Sequence, residues 1–221
     1  MNLELDHLLY AGPNLEQLAT DLGRLTGRPT TPGGAHERFG TRNHLVGSQG
    51  GTYLELLAPD EDQTGGPFAD AIAPLTMPSL HAWCVRTDDM SAVADAIKPL
   101  GIELATFDME RKTADGATVA WTSGFPHGDA LPALAPFFIE WKGSSPADAL
   151  ESTVTLRELA LMTPDTQPLH AFMEALGGIG GPAAVTVETH HVPGLRAAYV
   201  GPRGPFALRG AGHGMPAPQF D

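Results

Sequence analysis

The strongest constraint in this chain is an order of elements that comes three times. Leu3–Tyr10 is a short apolar run whose alternation sets Leu3, Leu5, His7 and Leu9 on one face. Asn14 stands as an N-cap, with Gln17 at the capping-box position. Leu15, Leu18, Ala19, Leu22 and Leu25 recur at helical spacing up to Gly27. Strand-like runs Asn43–Gly47 and Thr52–Leu57 follow, with a short extra strand expected around Arg38–Arg42. The order returns with a strand at Leu80–Arg86 and a helix capped by Asp88 or Asp89 and striped by Met90, Val93, Ala94, Ile97 and Leu100. Runs Glu103–Met109, Ala117–Thr122 and Phe137–Trp141 complete it, with a hairpin signal at Asp115-Gly116. A third copy opens at Thr153–Met162. Its helix carries Leu169, Phe172, Met173 and Leu176, and strands follow near Val185–Thr189, Ala197–Val200 and Phe206–Leu208.

Such units cannot bury their sheets alone and must stack. The expected fold is therefore α+β. Tandem βαβββ modules at 1–60 and 78–143 form a cupped mixed sheet with helices outside, and a third βαβββ-like module spans 152–210. The net charge of −13 repels phosphate backbones and anionic lipid surfaces, so neither nucleic acid nor a membrane is expected as partner. Cys84 is the single cysteine, which leaves no disulfide framework, and it reads as a core residue. No apolar run approaches the ~18 residues of a membrane span. The expected setting is cytoplasmic.

Chemistry shows where polar residues interrupt apolar strands. His7 and His81 each lie in the first strand of a copy, and Glu55 and Glu140 each in the last. A carboxylate in such a run costs several kcal/mol unless paired or metal-bound. His7 to His81 is 74 residues and Glu55 to Glu140 is 85, the difference matching a Pro/Gly-rich insertion at 125–136. A lone strand histidine is ordinarily a satisfied core residue. Two His/Glu pairs in register instead suggest one shared polar site, with donors suited to Zn²⁺, Ni²⁺, Mn²⁺ or Fe²⁺. The turn-rich loop Gly33–Asn43 adds His36 as an acid/base or extra ligand, and Arg42 and Asn43 as holders of a substrate carboxylate or carbonyl. Trp121 is a candidate lining residue. His190-His191 read as surface residues, and His213, in a Gly/Pro-rich tail, reads as having no role.

Leu5-Asp6-His7, Gly33-Gly34-Ala35-His36, Gly40-Thr41-Arg42-Asn43, Tyr53-Leu54-Glu55-Leu56 and Pro136-Phe137-Phe138-Ile139-Glu140-Trp141 carry a resemblance over about residues 3–143. The paired modules resemble the vicinal oxygen chelate superfamily, and more narrowly the bacterial glyoxalase-like domain family. The resemblance implies one metal site between two modules, with His7, Glu55, His81 and Glu140 as ligands and Glu55 or Glu140 as general base. It implies isomerase, lyase or hydrolase chemistry on a small oxygenated substrate. The alternative is a metal-free protein that sequesters a small molecule in the same cup, as resistance proteins of the superfamily do. In the third copy Glu158 takes the place of His7, and Pro205-Phe206-Ala207-Leu208 offers no carboxylate. That module reads as structural, and its unmatched sheet makes a homodimer an expectation.

Overall fold

The computed structural model describes residues 1–37, 39–112, 118–215 and 217–218. Module one runs β1 (Leu3–Ala11), α1 (Leu15–Thr26), β2 (Thr31–His36), β3 (Thr41–Ser48) and β4 (Thr52–Pro59). A short helix α2 (Pro67–Ile72) leads to module two: β5 (Ser79–Thr87), α3 (Met90–Ile97), β6 (Glu103–Lys112), β7 (Thr118–His127) and β8 (Phe137–Trp141). Module three comprises β9 (Ser152–Thr163), α4 (Gln167–Ala175), β10 (Ala184–Thr189), β11 (Gly194–Gly201) and β12 (Gly204–Gly210). The expected α+β fold of βαβββ modules is what the chain adopts. The extra strand of module one lies at 31–36 rather than around Arg38–Arg42, and Arg38 and the Asp115-Gly116 signal fall outside the described residues.

The local signals act as their chemistry requires. Asn14 Oδ1 accepts the Gln17 N–H at 2.8 Å, and Gly27 closes α1 at φ 75°, a left-handed value that glycine adopts without Cβ strain. Gln17 does not return the bond to Asn14, because its amide donates to Asp21 at 2.8 Å. Asp89 caps α3 by accepting the Ala92 N–H at 3.0 Å.

Modules one and two share one pairing scheme. In each, the first and last strands run parallel (β1 with β4, β5 with β8) and the remaining strands add antiparallel outward. The antiparallel pair β1–β5 joins them, so β3-β4-β1-β5-β8-β7-β6 forms one curved sheet. Module three departs from that scheme. Its β9 pairs parallel with β10 and antiparallel with β11, and joins the rest through a short parallel contact with β3 at Gly47–Ser152 and Ser48–Val154. Helices α1, α3 and α4 send Leu18, Leu22, Val93, Ile97, Leu169 and Phe172 into one core on the outer sheet face. The concave face carries a separate aromatic cluster containing Trp121, Phe125 and Ile139, which α2 covers with Phe68.

Candidate active site

Four adjacent strands of module one each send one polar side chain to the concave face: His36 from β2, Asn43 from β3, Glu55 from β4 and His7 from β1. All four are buried. His7 Nε2 lies 3.4 Å from Glu55 Oε2, and the Asn43 amide donates to Glu55 Oε1 at 2.6 Å. The same amide nitrogen stands 3.4 Å from His36 Nε2, which is itself 3.8 Å from Glu55 Oε1. Asn43 packs so tightly against β2 that a Cβ on Gly33 would meet its Oδ1 at 2.1 Å, so any larger residue there would displace the Asn43 amide.

Both imidazoles are oriented from behind. Asp6 is the extra residue of a β-bulge, because Leu5 pairs with Val85 and His7 with Cys84. The bulge swings its carboxylate beside its own neighbour. Asp6 Oδ1 accepts the His7 Nδ1 proton at 2.7 Å, and Oδ2 accepts the Trp141 indole N–H at 3.1 Å. His36 Nδ1 pairs with the Thr41 hydroxyl at 3.0 Å. Each ring thus turns its Nε2 toward Glu55. Burial is the main cause that lowers the His36 pKa, with Glu55 opposing, so this ring is neutral. Burial, helped by the charges of Asp6 and Glu55, pushes the Tyr53 hydroxyl and the Cys84 thiol well above their ordinary values and keeps both protonated.

Module two supplies the opposite wall, which is mostly apolar: Trp121, Phe125, Phe137, Ile139 and Trp141. Among the described residues its one charged contributor is Arg111, buried on β6 and donating to the Gly33 carbonyl. The cavity measures only about 60 Å³, and Phe68, Pro146 and Met215 also line it.

Of the residues singled out in the sequence, the cup thus gathers His7, His36, Asn43, Glu55 and Trp121. His81, Glu140 and Arg42 lie elsewhere, so the expected quartet does not converge. In β8, Phe137, Ile139 and Trp141 face the cup. Glu140, one step out of phase, turns to the outer face, and its Oε2 accepts the Met90 N–H at 3.0 Å. A strand slip of one residue exchanges faces. His81 is the extra residue of a second bulge, since Leu9 pairs with Ala82 and Tyr10 with Leu80; its ring packs 5.7 Å from that of His213. Arg42 alternates away from Asn43 and reaches Glu16 at 2.8 Å. Asp6 and Arg111 carry no signal in periodicity alone. Asp6 sits in a quoted motif, but only the bulge brings it to His7.

A four-donor site spanning two modules therefore does not fit this geometry. His7 Nε2 and His36 Nε2 lie 3.4 and 3.8 Å from different oxygens of Glu55, but the three do not bring one donor atom each within 4.8 Å of one another, so they would have to draw together to share an ion. Both imidazoles also have the second partner on Nδ1 that metal-bound histidines show. Asp6, His7 and Cys84 place donor atoms within 4.8 Å of one another, but Asp6 already accepts the His7 proton and the Cys84 thiol keeps its own.

A family model described as "Glyoxalase-like domain" matches residues 5–177. No curated protein matches the chain. A hypothetical protein from Staphylococcus aureus superposes with a TM-score of 0.68 at 17% identity, covering 86% of this chain and 88% of that one, a span that must reach into the third module. Methylmalonyl-CoA epimerase from Mycobacterium tuberculosis gives a TM-score of 0.46 at 18% identity, over 66% of this chain and 91% of its own. A hypothetical protein from Bacillus halodurans C-125 gives 0.45 at 17%, over 66% and 99%.

Proposed function

The chain belongs to the glyoxalase-like domain family, and from that premise we propose that it is a metal-dependent enzyme acting on a small oxygenated substrate by isomerase, lyase or hydrolase chemistry. The observation that carries this reading is the buried chain Asp6–His7–Glu55–Asn43–His36 in a wall that is otherwise largely apolar. Such a line of buried polar groups costs stability, even with Trp141 and Thr41 tying down its two ends.

His7, His36 and Glu55 are the donors that would have to draw together to hold a divalent ion such as Zn²⁺, Ni²⁺, Mn²⁺ or Fe²⁺. When bound, the ion supplies Lewis-acid polarisation of neighbouring substrate oxygens. Glu55 is the proton carrier. Asn43 fixes its Oε1, which leaves Oε2 to take a proton from a substrate carbon. His7, held by Asp6 at Nδ1, stands 3.4 Å from that oxygen. Arg111 adds a fixed positive charge at the far wall, suited to a carbonyl or carboxylate of the substrate. Trp121, Phe137 and Trp141 exclude water and so strengthen each of these interactions. A cavity of about 60 Å³ is small beside an ordinary ligand pocket, which favours a small substrate.

The test is solvent-deuterium exchange beside the carbonyl of small hydroxy- and oxo-compounds, followed by NMR on ion-loaded and chelator-stripped protein. Exchange that needs the ion and disappears in Glu55→Gln supports the proposal. Tight binding of an aromatic compound with neither ion nor exchange would favour a sequestering protein, the reading to which the aromatic wall lends itself.

A further inference from the structure

One buried imidazole has no part in the cup. His81 is 1% exposed, and neither ring nitrogen makes a well-formed hydrogen bond among the described residues, the Gly214 backbone alone being near. Buried polar groups are nearly always paired, so an orphan of this kind calls for a partner. Burial pushes its pKa down to about 4, with His213 adding to the effect and the Gly214 backbone opposing it, so the ring is neutral. The bulge at His81 aims it along a second cavity of about 970 Å³ behind Phe137, walled by Leu75, Leu131, Pro132 and Leu134. Among the described residues that line it there is no Asp, Glu, Lys or Arg; its titratable side chains are His81, His127 and His213.

The second ring is delivered by the C-terminal tail. After β12 the chain turns back across β5, where the Gly212 N–H donates to the Leu80 carbonyl at 3.3 Å and the Gly214 N–H to the His81 carbonyl at 2.9 Å. That docking brings the His213 ring to 5.7 Å from His81, at 52° between planes, and sends Met215 on to the lining of the cup. An imidazole centre lies roughly 3.2 Å from an ion bound at about 2.1 Å, so two rings on one ion have centres about 4.5–6 Å apart.

We propose that His81 and His213 form a two-imidazole site for a borderline divalent transition-metal ion, zinc, nickel or copper(II), and that the bound ion pins the tail across the cup. The choice of ion follows from the donors. Neutral imidazole suits these metals, whereas magnesium and calcium require oxygen ligands that this cavity lacks. The remaining coordination positions open to water in the cavity. Because the tail carries both His213 and Met215, an ion that holds the one holds the other against the cup.

The experiment uses the full chain, stripped with chelator and titrated with Zn²⁺ or Ni²⁺ by calorimetry, with amide hydrogen exchange as a second readout. Wild type, Glu55→Gln and His213→Ala are compared. His213 lies in the tail, outside every helix and strand, so its replacement spares the fold. Glu55→Gln should keep this site, and His213→Ala should lose one equivalent of bound ion or weaken it by more than about tenfold. The ion should slow exchange at Gly212 and Gly214 in wild type and Glu55→Gln but not in His213→Ala. Binding unchanged by His213→Ala, absence of binding in Glu55→Gln, or tail exchange indifferent to the ion would overturn the proposal. Failure of the cup as a metal site would leave the His213-dependent equivalent in place, so the two readings separate.

Discussion

Glu55 and Glu140 stand in matching strands, yet their carboxylates face opposite ways. Glu55 is held by Asn43 in a buried cup, whereas Glu140 accepts a helix N-terminal N–H on the outer side. Glu55→Gln should reduce turnover by about 10²–10⁴-fold, the range for loss of a positioned acid–base group, measured by the deuterium-exchange assay. Glu140→Ala should leave that rate unchanged and destabilise the fold by about 0.5–1 kcal/mol, measured by urea unfolding. His81 makes a separate prediction, for protein kept in chelator. Its folded pKa is about 4 against 6.5 for the free side chain, so the unfolded chain binds the proton more readily in between. The stability tied to its neutral form is complete above pH 6.5, falls with pH, and is lost by about 3 kcal/mol below pH 4. His81→Leu should flatten that acid limb, as read from urea midpoints at pH 4 and pH 7.

At the scale of elements, the β2–β3 hairpin is the part most tightly coupled to chemistry. It brings His36 and Asn43 together through register pairs Gly34–Asn43 and His36–Thr41, with a bulge beside Gly33. Gly33→Ala should displace Asn43 and with it Glu55. A loss of about tenfold to a hundredfold in turnover with a small shift in melting temperature is expected, as misplacement of about 1 Å can cost that much. Helix α1 serves the fold alone. Asn14→Ala should cost about 1 kcal/mol in urea unfolding without altering the exchange rate.

At the scale of the molecule, a single outer core runs through all three modules, joining Leu5 and Leu54 of module one, Val85 and Phe138 of module two and Leu159 and Phe172 of module three. Trp83, Trp121 and Trp141 all belong to module two, while strands and helices spread over the whole chain. If the core is one cooperative unit, urea transitions followed by tryptophan fluorescence and by far-UV circular dichroism should coincide. A fluorescence transition displaced from the dichroism transition would show that module three unfolds separately.

The repeat, the caps at Asn14, Asp89 and Gly27, and the cup-facing positions of His7, Glu55, His36 and Asn43 were legible along the chain, because each depends on neighbours a few residues away. The positions of His81 and Asp6 were not. Both are extra residues of bulges in the β1–β5 pairing, and a bulge forms only when the partner strand has one residue fewer at that point. Glu140 was misread for a related reason. Alternation tells which residues share a face, but which of the two faces becomes the cup is decided by how β8 seats against β5 and β7. The modules repeat in their elements, yet the polar chain of the cup is built by module one, because the two strand faces that module two turns inward carry Cys84, Phe137 and Ile139 where module one carries His7, Tyr53 and Glu55.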